Sequence, residues 1–320
     1  MAHRRRRRTR HPLAVLAAAL AVVAVVPVVP VPAGPTAAAT APPDVFSVRL
    51  EGTTVRHSVG AVATTLNPAS GYTFAKIDST PALGGGRTLQ MKAVGAYGDP
   101  GDLGGAVLFD PTVNPATDGA QNFPTYAQAF HPAFGSQTPH AQKCAANPLG
   151  QPSDVCAAQP GPYAEALVEP EDAAPRALGV GRGGGGEGAE ETLSTAEIVP
   201  LDDGTIVGRQ VNEGRDHRVP GTPVTVRSFL ARTEIEATPE KVVAKGECSA
   251  DISVGGEPIT SADDLAAALE PFSTVTGVKV TYLPPTTIKR RQLPAGGLAV
   301  SCLGARFLVE RPEQGVASQY

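Results

Sequence analysis

From Val242 to Val254 the chain alternates strictly. Val242, Ala244, Gly246, Cys248, Ala250, Ile252 and Val254 fall on one side, and Val243, Lys245, Glu247, Ser249, Asp251 and Ser253 on the other. A period of two with apolar residues on one face is the pattern of a half-buried β-strand. Phe229, Ala231, Thr233, Ile235 and Ala237 alternate with Leu230, Arg232, Glu234 and Glu236 in the same way. Val278, Val280 and Tyr282 share a face, as do Leu298, Val300 and Cys302. Earlier segments at 45–50, 53–66, 72–78 and 88–97 are rich in Val, Thr and aromatic residues and bounded by Gly, Pro or Asn, which predicts further strands.

Helical patterning is rare. Ser261-Ala262-Asp263-Asp264 followed by Leu265 to Glu270 predicts one helix, with Ser261 as its cap and Pro271 as its stop. A shorter helix is expected from Pro124 and cannot pass Pro132. The fold class that follows is mainly β, with antiparallel, sandwich-like sheets, long loops and one short helix near 262–270.

Breaker residues divide the chain. The stretch 98–161 is crowded with Pro, Gly, Asn and Asp and reads as a long loop region inside an N-terminal β-rich part, 40–168. Residues 169–191, containing Gly183 to Gly186 and scattered acids, read as a flexible linker or exposed loop, and 192–320 as a second β-rich region.

The N-terminus alters the electrostatic picture. Six arginines between Arg4 and Arg10 precede fourteen uncharged residues, Leu13 to Val26, and then Pro and small residues with Val31-Pro32-Ala33 and Ala37-Ala38-Ala39. That order is the secretory pattern, and the apolar run is short for a membrane span, so residues 1–39 read as a signal peptide. An uncleaved anchor is the alternative. Cleavage is expected between Gly34 and Pro42. The whole chain has 27 basic against 31 acidic residues; without the six leader arginines it has 21 against 31, a net charge of −10. Such a surface repels phosphate backbones, which argues against nucleic-acid binding. No further membrane span is expected, and the destination is the secreted or cell-surface space.

Gly and Pro are 35 and 31 of 320 residues and Trp is absent, so the core must be built from Val, Leu, Ile and Ala. Cross-links would support it. Cys144, Cys156, Cys248 and Cys302 all lie in the exported part and read as two disulfides. Of three connectivities, Cys144–Cys156 as a loop staple and Cys248–Cys302 as a cross-strand link are preferred. Both members of the second pair lie on the apolar side of their strands.

Candidate chemistry is sparse. Gly179, Gly181 and Gly184 match G-x-G-x-x-G, but glycines and acids follow where a phosphate-binding helix would have to start, so no dinucleotide or other cofactor is expected. His131, His140, Cys144 and Cys156 have no zinc-finger spacing, and paired cysteines offer no thiolate. Asp99, Asp102 and Asp110 lack the alternation and closing Glu of a calcium loop, so no metal is expected. His57, His131, His140 and His217 remain in the mature chain without G-x-S-x-G or H-E-x-x-H to seat a triad, and no catalytic residue is assigned. Phe123, Tyr126, Phe130 and Phe134 are spaced three, four and four apart. With Pro124 at a first helical turn, Phe123, Tyr126 and Phe130 would form a stripe. It serves either as an exposed platform for glycan or protein, or as a small core pinning the loop, and packing is the preferred reading.

Over residues 189–307 the order of signals is Val226-Arg227-Ser228, then Ser249 to Ile259 with Gly255-Gly256-Glu257-Pro258, then Gly277 to Pro284. It resembles a group of uncharacterised exported proteins of high-GC Gram-positive bacteria, and the Ala- and Arg-rich leader fits the same source. The resemblance implies a β-rich extracytoplasmic protein, often anchored at its end, and transfers no functional residue. The chain departs from anchored forms, since Leu293-Pro294-Ala295-Gly296 lacks the Thr of a sortase signal and no cysteine near the leader can take a lipid. The expected function is a non-catalytic secreted or surface protein that binds cell-wall glycan or an extracellular protein. The alternative is a secreted hydrolase whose triad is assembled only in space.

Overall fold

The computed structural model describes residues 46–55, 58–59, 71–83, 87–97, 126–144, 147, 156, 161–171, 174–184, 191–201, 203–238, 240–291, 297–311 and 316–319. They belong to one compact unit, Ala39–Tyr320. The expected signal segment lies outside the described residues, as do the residues of the expected 53–66 strand at 56–57 and 60–66.

An eight-stranded antiparallel sheet forms the floor of the molecule. Its strands are β6 (His140–Cys144), β7 (Tyr163–Glu169), β8 (Arg176–Gly184), β9 (Glu191–Pro200), β10 (Ile206–Arg218), β11 (Val224–Ala237), β12 (Val242–Val254) and β13 (Glu257–Ile259), each beside its neighbour in sequence. Sheet and sequence order coincide, and except for the longer connection between β6 and β7 the consecutive strands are joined by six residues or fewer, so the meander needs no crossover.

A second layer covers one face of this floor in three pieces. A four-stranded sheet has the order β1 (Phe46–Thr53), β3 (Gly71–Pro81), β4 (Arg87–Tyr97), β5 (Tyr126–His131) and packs on β7 to β10. A hairpin, β15 (Thr286–Arg291) with β16 (Leu298–Leu303), lies over β11 and β12. The third piece is the sheet β14 (Lys279–Leu283), β17 (Arg306–Arg311), β18 (Val316–Gln319) and β2 (Ser58–Val59), with helix α1 (Ala262–Thr276) beside it. A single cross-strand row shows that two of these pieces share the covered face. In the row Gln210–Thr233–Gly246, Gln210 bonds Thr73 of the four-stranded sheet, while Gly246 abuts Thr287 and Val300 of the hairpin. No barrel closes.

Two cores result. The first joins Val48, Leu50, Ile77, Met91 and Ile198 to a bed of alanines: 75, 93, 127, 129, 164, 166, 177 and 196. The second gathers Val219, Val224, Val226, Ile252, Leu265, Leu269, Phe307 and Val309. The alanines let the layers of the first core close tightly, and at Gly95, Gly179 and Gly181 backbone meets backbone. A Cβ on Gly95 would fall on the carbonyl oxygens of Val180 and Glu165, and one on Gly181 on those of Ala96 and Tyr72. Between the sheets lies a satisfied polar cluster. Thr73 and Ser194 hydroxyls are 2.7 Å apart, Ser194 donates to Asn212 Oδ1 at 2.6 Å, and Gln210 Nε2 donates to Thr73 Oγ1 at 3.0 Å.

Several sequence expectations are corrected here. The glycine-rich 169–191 segment is no linker: it contains β8, which pairs with β7 and β9 in mid-sheet. Its glycines allow the second layer to approach, so a composition typical of flexible chain marks the tightest contact. The long loop region 98–161 holds β5 and β6. The segment around Tyr126 and Phe130 is strand β5 rather than helix, because pairing with β4 supplies its backbone partners. Helix α1 passes through Pro271 and ends at Gly277, whose φ of 68° closes it with a bond to the Ser273 carbonyl. Thr274 and Thr276 hydroxyls bond the carbonyls of Glu270 and Phe272 in this last part. The cap is as expected, with Asp264 N–H donating to Ser261 Oγ at 3.0 Å.

Candidate functional site

Both disulfides form in the preferred pairing, Cys144–Cys156 and Cys248–Cys302, with Cα separations of 5.6 and 5.7 Å. The first closes beside Tyr163, the second ties the β15–β16 hairpin to β12.

On β7 to β10, Ala177, Gly179, Gly181, Ser194 and Ala196 point into the covered face, so the alternate residues point away from it. There Tyr163, Arg182, Leu193 and Glu213 stand in one row across four strands. With Arg215 and Ser228 they line an open groove of about 490 Å³. The Arg182 guanidinium lies 5.2 Å from the centre of the Tyr163 ring, and its Nε donates to the Gly161 carbonyl at 2.7 Å. The Tyr163 ring is thus buried beneath a guanidinium that is itself fixed to the backbone. Arg215 pairs with Glu191 at the exposed end.

Behind Tyr163 is a polar hub. The Glu165 carboxylate accepts from the Tyr163 hydroxyl, from Gln142 Nε2 at 2.8 Å and from His140 Nε2 at 3.0 Å. Burial pushes the Glu165 pKa up, but the three bonds outweigh it and hold the carboxyl below the ordinary range. Burial, and then the bond to Glu165, push the Tyr163 phenol up. The arrangement orients a histidine against a carboxylate, as hydrolytic sites do. The cysteine on the same strand, Cys144, is held in a disulfide, and the Tyr163 hydroxyl is committed to Glu165.

A second concavity lies where the pieces of the second layer meet. It is walled by Thr54, Val55, His217, Val226, Phe229, Ala231 and Phe307, among others, and none of its lining residues is an acid, lysine or arginine.

The aromatic candidates scatter. Phe123 is outside the described residues. Tyr126 packs half-buried against Tyr72, Phe74, Val94 and Ala96, and burial raises its pKa. Phe130 is half-buried with the Lys92 ammonium 5.4 Å from its ring centre. Phe134 is 71 % exposed in the turn between β5 and β6. The strand puts Tyr126 and Phe130 on one face, in place of the helical stripe expected of Phe123, Tyr126 and Phe130. Asp99, Asp102 and Asp110 fall outside the described residues. Among those described, no three His, Cys, Asp or Glu side chains group to hold a metal ion. No helix there is long and apolar enough to cross a membrane.

Sequence reasoning missed Arg182, Glu213 and Arg215. Their alternation was legible in principle, but the glycines of β8 disguised the central strand that aligns them. Searches against protein-family models, curated proteins and solved structures gave no match for this chain.

Proposed function

We propose that the protein is exported and binds a cell-surface glycan, without catalysis, through the groove on the outer face of the eight-stranded sheet. The observation that carries this reading is the groove itself: Arg182 stands over the buried Tyr163 ring and is followed across the strands by Leu193 and Glu213, with Arg215 beside Glu213 on β10. A sugar chain presents apolar ring faces and a fringe of hydroxyls, which suit the apolar Leu193 side chain flanked by the charged hydrogen-bonding groups of Arg182, Glu213 and Arg215. Rigid strands and two disulfides support pre-organisation, so little ordering is required on binding. Disulfides also fit an oxidising compartment, and the leader pattern fits export.

Binding of the exported chain to purified cell-wall polysaccharide tests the proposal. Replacing Arg215 and Glu213 together by Ala should weaken binding about tenfold, roughly 1.4 kcal/mol. Unchanged affinity in that double variant would overturn it, and capture of a protein in place of glycan would redirect the reading to an extracellular partner.

The His140–Glu165 pair favours one second reading, a hydrolase. It requires turnover of an ester or glycoside substrate that His140→Asn abolishes. Equal turnover in wild type and variant rules it out.

A further inference from the structure

Leu283 of β14 and Arg306 of β17 pair with each other, and between them the chain makes an excursion, 284–305, that forms the β15–β16 hairpin. The two ends of the excursion are therefore fixed side by side, and the rest is held by what it touches. The hairpin is a two-stranded sheet by itself, and none of its described residues belongs to either hydrophobic core. Two strands alone are marginally stable in water at best, so such an element needs a fastening. Thr287 and Val300 meet the floor at Gly246, a residue that offers no side chain in return. The covalent fastening is Cys248–Cys302.

The two disulfides differ in access. Cys144 is 5 % exposed and Cys156 0 %, and both are closed in with Tyr163. Cys248 and Cys302 are only half-buried, and their sulfurs lie 3.5 and 3.8 Å from Oγ1 of Thr287, an exposed residue. In thiol–disulfide exchange a thiolate must reach a sulfur, so access decides which bond a reductant opens first. Where the hairpin returns to β17, Gly304 has nothing within 4 Å of the place a Cβ would take. That end has room to turn once the bond beside it is open.

We propose that the hairpin is a redox-gated flap, released from the floor by reduction of Cys248–Cys302 while Cys144–Cys156 stays closed. The reductant is a dithiol. One of its thiolates attacks a sulfur of the pair, the S–S bond breaks, and the departing thiolate takes a proton. The second thiol then displaces the other cysteine from the mixed disulfide. Two electrons thus pass to the pair, which ends as two thiols, and the dithiol leaves as its own disulfide. The released flap uncovers the strip of β11 and β12 on which β16 lies. The outer groove is on the opposite face of the floor, so the switch does not rest on glycan binding.

Titration of the exported chain with dithiothreitol, without denaturant, is the test, read by alkylation with peptide mass spectrometry and by amide hydrogen exchange on the same samples. Cys248 and Cys302 should be labelled at concentrations about tenfold below those that label Cys144 and Cys156. Exchange in 286–291 and 298–303 should then rise about tenfold, exchange in β9 and β10 should stay as it was, and reoxidation should restore protection. The double variant Cys248→Ser with Cys302→Ser should show the same exchange without reductant. If it fails to fold, reduced and alkylated wild type takes its place. Labelling of Cys144 and Cys156 first or together with the other pair would overturn the proposal. So would a hairpin that stays protected once its bond is open, or exchange that rises across the whole floor.

Discussion

At Gly95 and Gly181 the two layers approach until a single methyl group has nowhere to go. The atoms in its way are carbonyl oxygens of paired strands, which cannot swing aside as a flexible side chain would. Gly95→Ala or Gly181→Ala should therefore destabilise by about 3 kcal/mol or more, the upper part of the range for overpacking, and chemical denaturation reads this directly. Ala should be tolerated on the opposite face of the sheet at exposed positions such as Glu213, where a side chain already points outward. Glu165 behaves differently, because its contribution is electrostatic. Its folded-state pKa lies below the ordinary carboxylate value of about 4.3, so the stabilisation is fully present above that value. It is lost as the pH falls through the folded-state pKa. In Glu165→Gln this part of the acid-side loss should vanish, so melting curves of wild type and variant should converge on acidification. A constant gap between them from pH 7 to pH 3 would mean that the hub is not titrating as described.

Among the elements, α1 is the one whose ends are written locally. Ser261 Oγ accepts from Asp264 N–H, and Thr260 Oγ1 donates to the Asp264 carboxylate at 2.6 Å, which holds that carboxyl below its usual range. Ser261→Ala should cost about 1 kcal/mol, measured as a shift in denaturation midpoint with unchanged m-value. Helical spacing and Pro124 point to a helix around Tyr126, but only pairing with β4 decides between helix and strand there. The consequence is energetic. Phe130 on a half-covered strand with Lys92 beside it loses less on truncation than a fully buried aromatic, so Phe130→Ala should cost clearly below the 3–5 kcal/mol typical of a core Phe. A loss inside that range would show that more of the ring is covered than the strand geometry gives it.

On the scale of the molecule, one continuous floor carries a second layer in separate pieces, and the Cys248–Cys302 bond tethers one of them. It closes a sequence separation of 54 residues. Cys302→Ser should cost about 2–4 kcal/mol, read as a lower melting temperature under non-reducing conditions. The sequence by itself determined the fold class, the positions of fewer than half of the strands, the helix cap and, through the apolar side of two strands, the Cys248–Cys302 pair. All are local: a period of two, a Ser three residues before an Asp, a face shared by Cys248 and its apolar neighbours. The tertiary structure alone decided that the glycines of β8 are a central strand, since a glycine carries no side chain to mark a face and its meaning depends on what comes close to it. It alone decided that Arg182, Leu193 and Glu213 share a row. Cross-strand neighbours are set by register between segments far apart in sequence, and period within one strand says nothing of it. The second concavity, beside His217, is the extreme case, because a cavity is made by the residues that fail to meet.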